Sequence, residues 1–173
     1  MEFEPYPPLQ AKLTAIDATV NGQRVSVEPG TTILDAMAQI NQTVPTLCYS
    51  DQLEAHGACR SCLVEVEGSK PVAACHTAIT AGASYQTHSP ALTRYRRNLT
   101  EMIVSDHPLE CLDCTANGRC ELQSLAQEVG LRQSRYQSPV THDPKPDQSH
   151  PFIKLDMQKC IGCARCVRAC DEV

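Results

Sequence analysis

Two short runs in which apolar and polar residues alternate, Leu13 to Val20 and Arg24 to Val27, flank the dipeptide Asn21-Gly22. Alternation places every second side chain on one face of a strand, and Asn-Gly accepts the positive φ of a type I′ turn. The segment therefore predicts a β-hairpin. Glu28-Pro29-Gly30 ends its second strand, and the period then changes. Ile33, Leu34, Met37 and Ile40 recur at helical spacing behind Thr32 and Asp35, a pairing suited to capping a helix start, and Pro45 closes the element. Cys62 to Glu67, ended by Gly68, reads as a strand, Val72 to Cys75 as its hairpin partner, and a last short strand is expected near Tyr85 to His88. Residues 1–10, rich in Pro, are expected to run as an extended arm.

Hairpin, helix, then further strands is the element order of a small α+β domain of the β-grasp type, here about residues 1–90. Ser89-Pro90 then starts a second helix, with Ser as N-cap and Pro at the first position. Leu92, Tyr95, Leu99, Met102 and Ile103 fall on one face of it, the group Arg94, Arg96 and Arg97 reads as its solvated face, and it ends near Asp106-His107-Pro108. Glu121 to Val129 reads as a third helix stopped by Gly130. Residues 132–150 read as a linker or surface loop. A small helical module thus covers about 91–150. The tail, 151–173, opens on a strand-like Phe152-Ile153-Lys154-Leu155 and continues in a dense cysteine run.

Composition sharpens this picture. Aromatic residues are only 4% of the 173, with no Trp and two Phe, so the apolar core is thin for the length and a metal or disulfide staple is expected. Eleven cysteines cannot all pair within one chain. The N-terminus lacks a basic region followed by an apolar run, and no stretch approaches the roughly 18 apolar residues of a membrane span. The expected location is cytoplasmic, where thiols stay reduced and clustered Cys bind metal or carry redox chemistry. A net charge of −5 argues against nucleic acid as the main partner.

The cysteines fall into three motifs. Cys48, Cys59, Cys62 and Cys75 stand as C-x10-C-x2-C-x12-C. A 2Fe–2S cluster needs four thiolates, two on each iron. A C-x2-C pair brings two from one tight loop, and small residues such as Gly57 and Ala58 let backbone pass close by. The plant-type spacing is absent, and four Cys can also hold a structural zinc. His107, Cys111, Cys114 and Cys120 stand as H-x3-C-x2-C-x5-C. Three thiolates and an imidazole can hold a 4Fe–4S cluster, and equally a zinc. Cys160, Cys163, Cys166 and Cys170 stand as C-x2-C-x2-C-x3-C, the half-motif of two-cluster bacterial ferredoxins and the most specific signal in the chain. In that pattern the first three ligate one 4Fe–4S cluster and the fourth ligates another. Here the reciprocal half is absent, and Asp171 stands where Pro usually follows. The expectation is a fragment of a longer protein, or a cluster left incomplete or completed by a partner.

The three motifs in this order resemble the cluster-bearing N-terminal region shared by several NAD-linked complexes. These are the large iron–sulfur subunit of respiratory complex I, the diaphorase small subunit of NAD-reducing hydrogenases, iron-only hydrogenases, and the alpha subunit of molybdenum-containing NAD-dependent formate dehydrogenase. The resemblance covers about residues 12–173. The local text is most similar to the formate dehydrogenase subunit, through Ser105-Asp106-His107-Pro108-Leu109-Glu110-Cys111, the run Ala116 to Gln123, Val129-Gly130-Leu131-Arg132, and the tail Arg165 to Val173. The resemblance implies a 2Fe–2S cluster on Cys48, Cys59, Cys62 and Cys75 and a 4Fe–4S cluster on His107, Cys111, Cys114 and Cys120. It implies a further 4Fe–4S cluster on Cys160, Cys163 and Cys166, with Cys170 serving another.

The implied function is one-electron relay between a molybdenum formate-oxidising site and a flavin/NAD module. The implied partners are a flavin/NAD-binding diaphorase subunit and a molybdopterin catalytic domain or subunit. No catalytic site for formate or NAD is legible in these residues. An electron-transfer role in a hydrogenase or a complex I-like enzyme is the first alternative. A zinc-stapled scaffold is the second, and a thiol redox sensor built on the C-x2-C pairs the third.

Overall fold

The computed structural model describes residues 14–137 and 145–173. The expected arm at 1–10 and Leu13, where the first run was expected to begin, lie outside the described residues. So do 138–144 of the expected linker.

The hairpin forms where the alternation places it. β1 (Ile16–Val20) pairs antiparallel with β2 (Gln23–Val27), Ile16 opposite Val27 and Val20 opposite Gln23. Asn21 and Gly22 turn the chain with φ of 50° and 81°, both in the left-handed region that a type I′ turn requires. α1 (Ile33–Gln39) starts at Thr32, whose hydroxyl accepts from the Asp35 backbone N–H at 3.1 Å and donates to its carboxylate at 2.7 Å. The helix stops well short of Pro45. Asn41, at φ 56°, takes the left-handed conformation that ends it, so the expected terminator is corrected by a closer one.

β3 (Leu63–Val66), β4 (Val72–Ala73) and β5 (Ser84–Gln86) complete a five-stranded sheet in the order β2-β1-β5-β3-β4. β1 and β5 run parallel and the other neighbours antiparallel. This is a small α+β domain with a mixed sheet. Ala18, Val20, Val25 and Val27 turn inward against Ile33, Ala36 and Met37 of α1. Val64 and Tyr85 close that core, and so do the thiols of Cys62 and Cys75.

α2 (Pro90–Ser105) is capped by Ser89, which accepts from the Leu92 N–H at 3.1 Å. Its buried face corrects the expected stripe. Tyr95 and Met102 are 47% and 57% exposed, while Leu92, Arg96, Thr100, Glu101 and Val104 are buried. Polar groups occupy this face because each has a partner there. Thr100 bonds the Arg96 carbonyl at 2.7 Å, and Glu101 binds Arg135 at 2.7 Å and Arg97 at 3.4 Å. Arg96 is only 2% exposed, so it is not part of a solvated face.

α3 (Glu121–Glu128) packs on α2 in a second apolar cluster of Leu47, Val104, Leu122, Leu125 and Val129. Cys59, Cys120 and Ile161 lie at the rim of this cluster, so all three cysteine motifs meet around it. The expected strand at Phe152–Leu155 does not form. Leu155 makes a single bridge to Asp147, and Phe152 is 90% exposed with no neighbouring strand among the described residues. The cysteine run instead ends in a fourth helix, α4 (Arg165–Glu172). No helix among the described residues is long and apolar enough to cross a membrane.

Candidate metal centres

The first motif is assembled by the sheet. Cys62 leads into β3 and Cys75 follows β4. The pairing of Leu63 with Ala73, extended by the Ala74 N–H to the Cys62 carbonyl at 3.1 Å, sets their sulfurs 3.4 Å apart. Cys48 and Cys59 come together from the loop after α1, where the Cys59 N–H points at the Cys48 sulfur at 3.5 Å. The Cys59 sulfur lies 3.0 Å from the Ser61 hydroxyl. Cys48, Cys62 and Cys75 are buried and Cys59 partly so.

These thiols feel one another. The hydrogen bond shared with Cys75 pulls Cys62 down to about 6. The same bond, burial and the charges of Cys62, Cys48 and Cys59 push Cys75 up. Burial raises Cys48. Burial works upward on Cys59 as well, but the Ser61 hydroxyl and backbone bring it below its ordinary value.

Among the described residues, no three His, Cys, Asp or Glu side chains converge on a point fit for a single ion. The Cys62 and Cys75 sulfurs stand side by side and the Cys59 backbone meets the Cys48 sulfur, so the four residues come as two pairs, an arrangement that suits two bridged irons.

The second motif lines one cavity of about 410 Å³, which His107, Cys111, Cys114 and Cys120 all face. The Nδ1 of His107 lies 2.8 Å from the Pro108 carbonyl. A carbonyl only accepts, so Nδ1 carries the proton and the Nε2 lone pair is free for a metal. Cys111 opens a short 3₁₀ turn, Cys120 sits at the N-cap of α3, and the Ala116 N–H points at the Cys114 sulfur at 3.5 Å. Backbone N–H groups and a helix N-terminus both favour the negative charge of a thiolate-bound cluster.

In the third motif, Gly162 at φ 65° and Ala164 at φ 56° coil the loop so that the Gly162 N–H points at the Cys160 sulfur at 3.4 Å. Cys166 and Cys170 stand one turn apart on α4. Cys160, Cys166 and Cys170 are exposed and Cys163 is partly buried.

Three arginines, Arg96 among them where a solvated face was expected, reach the backbone around the first motif. Arg96 of α2 donates to the Ser61 carbonyl at 3.1 Å and the Leu63 carbonyl at 2.8 Å, on either side of Cys62. Arg168 of α4 donates to the Cys48 and Glu54 carbonyls. Arg165 of α4 donates through Nε to the Leu47 carbonyl at 3.0 Å and pairs with Glu121. Burial depresses the pKa of Arg96. Burial also works against the charge on Arg165, but Glu121 more than offsets it, with further support from Cys163 and Cys48. The four-residue spacing Leu92-Arg96-Thr100-Val104 was the signal for Arg96. A search for apolar periodicity passes over it.

Comparison with known proteins sets the class. Residues 14–90 match the model of a 2Fe-2S iron-sulfur cluster binding domain, and residues 96–135 match the NADH-ubiquinone oxidoreductase-G iron-sulfur binding region. The chain resembles the iron–sulfur segments of NADH- and NADPH-linked oxidoreductases, and the domains it matches bind 2Fe–2S and 4Fe–4S clusters.

Among individual relatives, it is 39% identical over 168 residues to the NADP-reducing hydrogenase subunit HndD of Solidesulfovibrio fructosivorans, covering 93% of this chain and 28% of that protein. It is 35% identical over 164 residues to the mitochondrial NADH-ubiquinone oxidoreductase 78 kDa subunit of Candida albicans, covering 94% of this chain and 23% of that one. A chain of the crystal structure of an NAD+-reducing [NiFe]-hydrogenase in the H2-reduced state superposes with a TM-score of 0.83 at 32% identity, over 91% of this chain and 66% of the other. The chain thus spans roughly a quarter of the length of these curated relatives.

Proposed function

We propose that Cys48, Cys59, Cys62 and Cys75 hold the 2Fe–2S cluster and that His107 Nε2, Cys111, Cys114 and Cys120 hold a 4Fe–4S cluster. Cys160, Cys163 and Cys166 hold three corners of a further 4Fe–4S cluster, and Cys170 serves another. The observation that carries this reading is the pairwise approach of buried thiols in the first motif, beside a single cavity faced by all four donors of the second. Each cluster supplies a one-electron carrier whose potential is set by its ligands, burial and hydrogen bonds. The protein holds the thiolates, aims backbone N–H groups at sulfur, and packs all three motifs around one apolar cluster.

In this reading the segment relays single electrons between a molybdenum formate-oxidising site and a flavin/NAD module. The partners are a flavin/NAD-binding diaphorase subunit and a molybdopterin domain or subunit. The local text around His107, Cys120 and α4 supports the formate end. The similarity to hydrogenase chains favours a second reading, in which hydrogen oxidation feeds the same wire. The assembly captured through a tag on this chain separates the two. Molybdenum together with formate-dependent NAD reduction is the expected result. Nickel or an iron-only centre with hydrogen-dependent reduction, and no molybdenum, would overturn the formate reading and leave the relay.

A further inference from the structure

The cysteine-bearing backbone of the first motif is gripped from outside its own domain. Arg96 comes from α2 and straddles Cys62, taking the carbonyls of Ser61 and Leu63. Arg168 comes from α4, 120 residues along the chain, and takes the carbonyl of Cys48 itself together with that of Glu54. Both side chains are buried, at 2% and 9% exposure. Arg165 joins them at the Leu47 carbonyl, but its charge is largely matched by Glu121. Around Arg168 the acidic group is Glu172, at 4.0 Å, whose other oxygen accepts from the Glu54 N–H at 2.8 Å. Arg96 has no carboxylate within ion-pair distance among the described residues and spends its donors on backbone. Arg96, which feels Glu128 only from beyond ion-pair distance, and Arg168, loosely paired with Glu172, therefore bring positive charge to the Cys62 and Cys48 backbones through groups already fixed by carbonyls.

We propose that Arg96 and Arg168 are positioning residues that raise the reduction potential of the 2Fe–2S centre and tie it mechanically to the other two modules. The inference rests on the ligand assignment made above. A cation near a cluster favours the reduced form, which carries one more negative charge, and it does so strongly where solvent is excluded. A guanidinium is suited to the task because it stays charged when buried and its planar fork reaches two carbonyls at once. α4 then carries two roles. One face holds Cys166 and Cys170, and the other fastens the Cys48 loop through Arg168. A change at the third motif would reach the first through a single helix.

The test is an EPR-monitored redox titration of the full chain and of the variants Arg96→Met, Arg96→Lys, Arg168→Met and Arg168→Lys. Wild-type protein without a 2Fe–2S signal would overturn the ligand assignment and this proposal with it. Given that signal, each methionine variant is expected to shift the reduction equilibrium of the 2Fe–2S centre about tenfold toward the oxidised form, about 59 mV for one electron. The lysine variants should stay closer to wild type, and the 4Fe–4S signal should hold its midpoint. Wild-type midpoints and g values in both methionine variants would overturn the proposal. If a methionine variant assembles no cluster, its lysine counterpart decides. Recovery of the signal supports a role for the charge. Continued loss of cluster and fold assigns the arginine to packing alone and overturns the proposal.

Discussion

Cys62→Ala is expected to abolish the 2Fe–2S centre and lower the iron content by about two per chain, while the 4Fe–4S signal persists. Cys62 is where the site depends most on the fold. It is 1% exposed, it lies within the sheet core, and its sulfur stands 3.4 Å from that of Cys75. The hydrogen bond shared with Cys75 lowers its thiol pKa and so favours the thiolate, the form that binds iron. Alanine removes one of the four thiolates proposed for the cluster, and the adjacent hydroxyl of Ser61 is engaged with Cys59 instead. Cluster binding is also folding energy for so thin a core, so the thermal midpoint should fall with the iron. Iron and acid-labile sulfide analysis beside EPR of the reduced variant checks this. A variant retaining the 2Fe–2S signal would remove Cys62 from the site.

His107→Cys is expected to keep a 4Fe–4S cluster and lower its midpoint, by on the order of 100 mV. Replacing neutral imidazole with a thiolate makes the assembled centre one unit more negative, which disfavours adding an electron. The geometry allows the exchange. The bond to the Pro108 carbonyl fixes the ring with Nε2 free, and His107 shares its cavity with Cys111, Cys114 and Cys120. The change in potential should appear in the His/Cys centre alone. A redox titration reads the result, and an unchanged 4Fe–4S midpoint would place His107 outside the ligand set.

Local rules carried much of the fold because they operate over a few residues. Asn21-Gly22 makes its turn for steric reasons that no tertiary contact needs to supply, and Thr32 and Ser89 cap helices through bonds three residues away. The order of hairpin, helix and later strands was likewise enough for the α+β architecture. What stayed hidden depends on distant partners. Arg96, Thr100 and Glu101 look like the wet side of a helix until the Ser61 and Leu63 carbonyls, the helix's own backbone and Arg135 are seen to receive them. Tyr95 and Met102 match the apolar period and still face outward. Phe152 to Leu155 has the composition of a strand but, among the described residues, no neighbour to pair with beyond Asp147. The helix at Arg165–Glu172 is masked in the sequence by metal-ligand spacing, which says nothing of helix period. Arg165 and Arg168, which fasten it to the Leu47-Cys48 backbone, depend on partners more than 100 residues away.

The measurement that bears most directly on this account is the iron, acid-labile sulfide and zinc content of anaerobically prepared protein, with EPR of the dithionite-reduced sample. The account predicts about six irons with equal sulfide and both 2Fe–2S and 4Fe–4S signals, rising to about ten when the third motif also fills. Zinc in place of iron, without sulfide or a reduced-state signal, would contradict it and leave a metal-stapled scaffold.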